Sequence, residues 1–198
     1  MEDKNTTLAG ELFLKGEHIQ TQIFSFTSSE KVITVKMQSV FKRIEEKDFK
    51  QECTFTISPE GYVRVQIDFK GNGKESSVRL RKIDLNKIEI YHNSVFKEII
   101  ETDNNEKFLF DGVNPLFDFY NYVYFISSED NVKIERRVFY IDHIEGKLTK
   151  KNYTFEKKDN KVIINKGEGG NEVSIELWEG SYDLKKIKTK ETVNFFNR

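Results

Sequence analysis

A chain of 198 residues is about the size of one large domain, and its make-up excludes several classes at once. Lys+Arg 32 against Asp+Glu 33 gives a net charge of -1, which supplies no global field to attract nucleic acid or an anionic membrane face; Gly 11 and Cys 1 leave no collagen repeat or disulfide scaffold. No apolar run approaches the roughly 18 residues of a spanning helix, so no transmembrane segment is expected, and 17 Phe and 8 Tyr beside a single alanine, Ala9, and two prolines are strand composition.

The amino terminus, Met1-Glu2-Asp3-Lys4-Asn5, is acidic and polar with no signal-peptide apolar stretch behind it, which reads as cytoplasmic. Ile33, Val35 and Met37 then alternate with Thr34, Lys36 and Gln38, the period of two that turns one face of a strand to a core. Residues 39–50 carry charges on every side and read as a hairpin end or short helical turn. Cys53, Phe55 and Ile57 resume the alternation, with Cys53 a small apolar strand residue rather than a reactive thiol, and Ser58-Pro59-Glu60-Gly61 turns the chain. Val63, Val65, Ile67 and Phe69 form the clearest set and are predicted to face the core together. Gly71-Asn72-Gly73 supplies the hairpin turn, because glycine and asparagine tolerate positive φ, and the return strand runs through Val78 and Leu80.

Ile88 and Ile90 predict a short strand, Asn93-Ser94 a turn, residues 95–100 another strand and residues 102–105 a further turn. After Asp111-Gly112 and Asn114-Pro115, strands are predicted over 117–126, 132–141, 148–155, 162–164, 173–178 and 184–196, with polar turns between them. Turn signals every roughly 8–12 residues are the mark of an all-β fold. No linker divides the chain and no internal repeat appears, so the expectation is a single all-β domain over residues 1–198. About a dozen antiparallel strands of that size must curl into a curved sheet, a half-barrel or a barrel.

The residues of reactive chemistry do not assemble by spacing. His18, His92 and His143 are isolated, no cysteine or histidine pair has metal-ligand spacing, and no nucleophile elbow is present. Gly71-Asn72-Gly73-Lys74 with Ser76 has the elements of a phosphate loop but joins two strands instead of opening a helix. Arg79-Leu80-Arg81-Lys82 and Glu135-Arg136-Arg137 read as solvated strand faces. The expectation is no enzyme, no cofactor, no metal and no nucleic-acid partner.

One segment departs from ordinary alternation. Read as a strand, residues 117–126 place Phe117, Phe119, Val123 and Phe125 on one face and Tyr120, Tyr122, Tyr124 and Ile126 on the other. A strand aromatic on both faces is either covered twice or has one face on the core and the other on a ligand or partner. Tyr120, Tyr122 and Tyr124, with Trp178 as a neighbour, are therefore the candidate binding residues, since a tyrosine offers apolar area and a polar tip.

The length, the many-stranded layout and the order Asp111-Gly112, Asn114-Pro115, Phe119-Tyr120-Asn121 resemble the glycolipid-binding family of bacterial proteins, whose fold is similar to the half-barrels of lipoprotein carriers. Pro115, Phe119 and Asn121 correspond to the proline, phenylalanine and asparagine of that family's middle segment, while Arg136-Arg137 lie farther downstream than its arginine pair. The resemblance implies a non-catalytic binding protein whose concave sheet holds a lipid-like or other apolar small molecule. The alternative is a structural or interaction protein: the aromatic strand packs on a partner subunit, as in a homo-oligomer, and the interior is filled by its own side chains with no ligand.

Overall fold

The computed structural model describes residues 4–14, 17–28, 33–41, 50–58, 61–71, 73–102, 108–112, 116–127, 132–142, 144–167, 172–178, 184–189 and 192–196. In chain order the strands are β1 (Lys4–Leu14), β2 (Glu17–Ser28), β3 (Ile33–Phe41), β4 (Lys50–Ser58), β5 (Gly61–Gly71), β6 (Lys74–Asp84), β7 (Lys87–His92), β8 (Val95–Glu101) and β9 (Phe110–Asp111). A short helix, α1 (Leu116–Tyr120), runs directly into one π-helical stretch (Asn121–Ile126). β10 (Lys133–Asp142), β11 (Lys147–Lys158), β12 (Lys161–Asn165), β13 (Glu172–Leu177), β14 (Leu184–Lys188) and β15 (Thr192–Phe196) complete the chain.

All fifteen strands belong to one sheet, ordered β8-β7-β6-β5-β4-β3-β2-β1-β15-β14-β13-β12-β11-β10-β9. Strands β1 to β8 and β10 to β15 form two long antiparallel meanders, the first and last strands join these meanders in the middle of the sheet, and β9 adds to β10 in parallel at one margin. At that seam Gly10 lies opposite Phe196, and a Cβ on Gly10 would stand 2.9 Å from the Phe24 ring and 3.1 Å from the Phe196 ring. Glycine is needed because two phenyl rings, 5.5 Å apart, already fill the space above it.

Alternation explains why the walls form. Val35, Phe55, Val65, Leu80 and Ile90 lie opposite one another on successive strands β3 to β7, and all are buried. Met37, Cys53, Ile67 and Val78 make a second buried row beside the first. In the other meander, Phe155, Ile164 and Val173 form one row and Val162, Ile175 and Ile187 another. Such cross-strand neighbours on one face are the unit of sheet stabilisation. Val65 and Ile67 take the predicted core positions, whereas Val63 and Phe69 are only half-buried.

Register shifts interrupt five of the described pairings, at Leu12/Phe13, Thr56/Ile57, Lys82/Asp84, Ile90/Tyr91 and Glu176/Leu177. Bulges bend a strand and raise its twist, and the sheet curls into a half-barrel. Its β9 margin comes round to the start of β5, where Gly61 bridges Phe108 and the Tyr62 N–H donates to the Phe108 carbonyl at 3.5 Å. Gly61 has φ +117°, and a Cβ there would lie 3.1 Å from the Phe108 backbone nitrogen, so this contact admits only glycine. Val138 and Phe139, consecutive residues of β10 and hence on opposite faces, are both buried, so the margin is covered on both sides.

Residues 117–126 are helical, not a strand. β1 and β2 are strands without a predicted counterpart: Gly10-Glu11 separate the apolar residues of β1, and Gln20-Thr21-Gln22 those of β2. The predicted strand 184–196 is the pair β14 and β15, which are antiparallel neighbours. Among the described residues the strands number fifteen, against about a dozen expected. The segment between β3 and β4, with residues 42–49, and His143 lie outside the described residues.

Candidate functional site

The chain after β9 enters the concave side of the sheet. A segment there must satisfy its amides within itself, and α1 with the π-helical turn does so. The Ser127 N–H donates to the Tyr122 carbonyl at 2.8 Å, a five-residue step, and the Ser127 hydroxyl donates to the Val123 carbonyl at 2.6 Å. This plug is enclosed almost all round: Leu116, Phe117, Asp118, Tyr120, Asn121, Tyr122 and Ile126 are buried. Its rings lean on the β4–β5 wall. Phe117 lies 4.9 Å from Phe55 and 5.7 Å from Tyr62 between ring centroids, and Tyr120 meets Phe55 edge-on at 5.5 Å. Tyr62 also meets Phe110 edge-on at 5.3 Å, and Phe110 packs on Phe139 at 5.9 Å. Tilted and edge-on contacts at these separations are the favoured aromatic arrangements.

Beneath the plug lies a polar cluster that the sequence reading missed. The Asp111 carboxylate, 2% exposed, accepts from the Gly112 N–H at 2.7 Å through Oδ1. Through Oδ2 it accepts from the Tyr153 hydroxyl at 2.5 Å and from Lys166 Nζ at 2.8 Å. The same ammonium reaches Asp118 Oδ2 of the plug at 2.9 Å, and it stands 5.6 Å from the Tyr153 ring centre. Asn121 donates from Nδ2 to the Phe110 carbonyl at 2.8 Å. Asp118 Oδ1 and Asn121 Oδ1 are buried and accept no hydrogen bond among the described residues.

Two carboxylates thus share one ammonium inside a core that is otherwise apolar. Burial, assisted by the Asp111 charge and opposed by Lys166, pushes the Asp118 carboxyl up to about 7. Burial alone would lower the Lys166 ammonium, but Asp118 and Asp111 outweigh it and hold the group above the ordinary lysine range. Burial and then Asp111 hold the Tyr153 hydroxyl far above the ordinary tyrosine range. At neutral pH Lys166 is a fixed cation and Tyr153 a fixed donor, while Asp118 exchanges a proton near neutrality.

A signal for the cluster was present in the sequence. Asp118 and Asn121 are three residues apart, which places them on opposite faces of a strand but on one face of a helix. Tyr120 and Tyr122, chosen as an exposed row, are 4% and 3% exposed within the plug; the side chain of Tyr124 lies outside the described residues. Trp178 follows β13 and is half-buried, with Lys185 Nζ 5.2 Å from its ring centre.

Elsewhere, a cleft of about 520 Å³ is lined by Glu52, Asp68, Phe69, Lys70, Glu75 and Ser76, among others. It lies by the β5–β6 hairpin, where Gly71 pairs with Lys74 as the turn reading predicts. Three carboxylates against one lysine do not suit a phosphate in this cleft. No group of three metal-ligating side chains occurs among the described residues, and none of their helices is long and apolar enough to cross a membrane.

No family model and no curated protein matches the chain. Two solved structures share its fold. A DUF1089 family protein from Pseudomonas aeruginosa superposes with a TM-score of 0.55 at 6% identity, over 82% of this chain and 86% of that one. A beta-barrel-like protein of the domain of unknown function DUF1849 from Brucella abortus gives a TM-score of 0.52 at 8% identity, over 98% of this chain and 94% of that one. The chain therefore has the fold of the beta-barrel-like proteins, and these likenesses carry the fold alone.

Proposed function

We propose that this protein is a non-catalytic binding protein whose half-barrel holds a lipid-like or other apolar small molecule in the space that the plug occupies. The observation that supports the reading most is the plug itself. The concave face is closed not by a second sheet but by eleven residues of α- and π-helix, seated on rings of Phe55, Tyr62 and Phe110 that would line the cavity once it moved. An apolar pocket with few polar groups at one end is the ordinary form of a small-molecule site, and here the polar end is the Asp111, Asp118 and Lys166 cluster. π-Helical turns are rare and recur at functional sites. The resemblance to a glycolipid-binding family points the same way. Tyr120, Tyr122, Tyr124 and Trp178 remain the proposed contact residues, now on a movable plug and beside β13 rather than on a sheet face.

Native mass spectrometry of the purified protein tests this directly. The expected result is a copurified apolar molecule, or uptake of a long-chain alcohol or monoacylglycerol from solution, with occupancy falling in folded Tyr120→Ser and Tyr122→Ser variants. An empty protein that takes up neither probe overturns the reading and leaves the interaction protein, whose assembly state the same spectrum reports.

A further inference from the structure

Asp118 is the least satisfied member of the buried cluster, and it rides on the segment that closes the interior. Its Oδ2 has only the Lys166 ammonium, which Asp111 Oδ2 also holds, and its Oδ1 has no partner among the described residues. The titratable groups that interact with it are Lys166 just beyond β12, Asp111 from β9, Tyr62 from β5 and Tyr153 from β11. One is a cation, one a second carboxylate, and the two phenols stay protonated. An ionised Asp118 is thus a buried charge compensated by half of one ammonium, and such a charge is costly in a core.

We propose that Asp118 and Lys166 form a proton-operated latch on the plug, seated when Asp118 carries a proton and released when that proton passes to solvent. This deepens the binding reading, on which its biological meaning rests, by making entry to the interior depend on pH; the latch itself needs no ligand. In the seated state Asp118 titrates near 7; once the plug leaves, the carboxyl meets water and returns to the ordinary range near 4. The seated state therefore holds the proton more tightly than the released state. Seating is favoured most fully below the ordinary carboxylate range, and that advantage is lost as pH rises through about 7. For these two values the release equilibrium grows about tenfold from pH 6 to pH 8. Lys166 stays charged across that window and sets its position, because removing the ammonium would raise the Asp118 carboxyl further.

Hydrogen exchange of the full chain, read by mass spectrometry between pH 5.5 and 8.5 and corrected for the exchange of an unstructured peptide, tests the latch. Protection of residues 116–127 is expected to fall about tenfold from pH 6 to pH 8, while that of β5 does not follow it. Asp118→Asn should hold the plug seated with a flat profile, and Lys166→Gln should move the midpoint to higher pH. A flat profile in the native chain, or a step that survives Asp118→Asn, overturns the latch. Should Asp118→Asn fail to fold, Lys166→Gln decides: a moved midpoint supports the latch and an unmoved one overturns it. Native mass spectrometry separates the two ideas, since a step without bound ligand retains the latch and removes the carrier, and bound ligand without a step does the reverse.

Discussion

The β3–β7 wall and the plug-bearing margin of β9, β10 and α1 are both buried, yet different forces hold them. The wall is rows of aliphatic and aromatic side chains facing one way, with Val35, Phe55 and Ile67 wholly inaccessible, and its polar residues meet water on the other face. The margin buries Asp111, Asp118 and Asn121 beside its phenylalanines. Apolar burial has no pH dependence and scales with area, whereas a buried cluster of two carboxylates and one ammonium depends on each partner and on proton activity. The wall therefore rests on forces that pH does not touch, and on the latch proposed above the margin does not.

The largest effect is expected where the two regions touch. Phe55 belongs to the wall and carries both Phe117 and Tyr120 of the plug, so Phe55→Ala should cost about 3–5 kcal/mol in urea denaturation; a loss below about 1 kcal/mol would show that the plug does not lean on it. Asp111→Asn should cost about 3 kcal/mol at neutral pH, because Lys166 and the Tyr153 hydroxyl lose their shared charged acceptor. It should also lower the proton affinity of Asp118, moving the plug's exchange step to lower pH; an unmoved step would mean that the two carboxylates do not sense each other. The smallest effect belongs to the outer face, where Arg81, 58% exposed, pairs with Glu89 at 2.7 Å. Arg81→Ala should change stability by less than about 0.5 kcal/mol, and a larger loss in the same denaturation assay would place that face against something other than water.

The contrast also explains which parts were legible in the sequence. Rows such as Cys53, Phe55 and Ile57 announce themselves because a half-exposed strand must alternate, and the Asn93-Ser94 turn was readable because both residues take positive φ, 50° and 65°. The plug was misread for a physical reason. Its Phe, Tyr and Val residues favour strands on a pleated surface, but here burial on every side removes the polar-out pattern, and only the internal hydrogen bonding of a helix satisfies the enclosed backbone. The pairing of Asp111 with Lys166, fifty-five residues apart, leaves no trace in local spacing.

By itself the sequence determined the fold class, most strand positions and the aromatic character of the segment after Asn114-Pro115, since periodicity and turn chemistry are local properties. The tertiary structure alone decided that the first and last strands pair in the middle of the sheet and that Gly61 of β5 meets Phe108 beside the β9 margin. It also decided that Asp111, Asp118, Tyr153 and Lys166 converge beneath the plug. Those outcomes depend on how a fifteen-stranded sheet curls, and curl accumulates from twist and bulges over the whole chain, so no single stretch of residues encodes it.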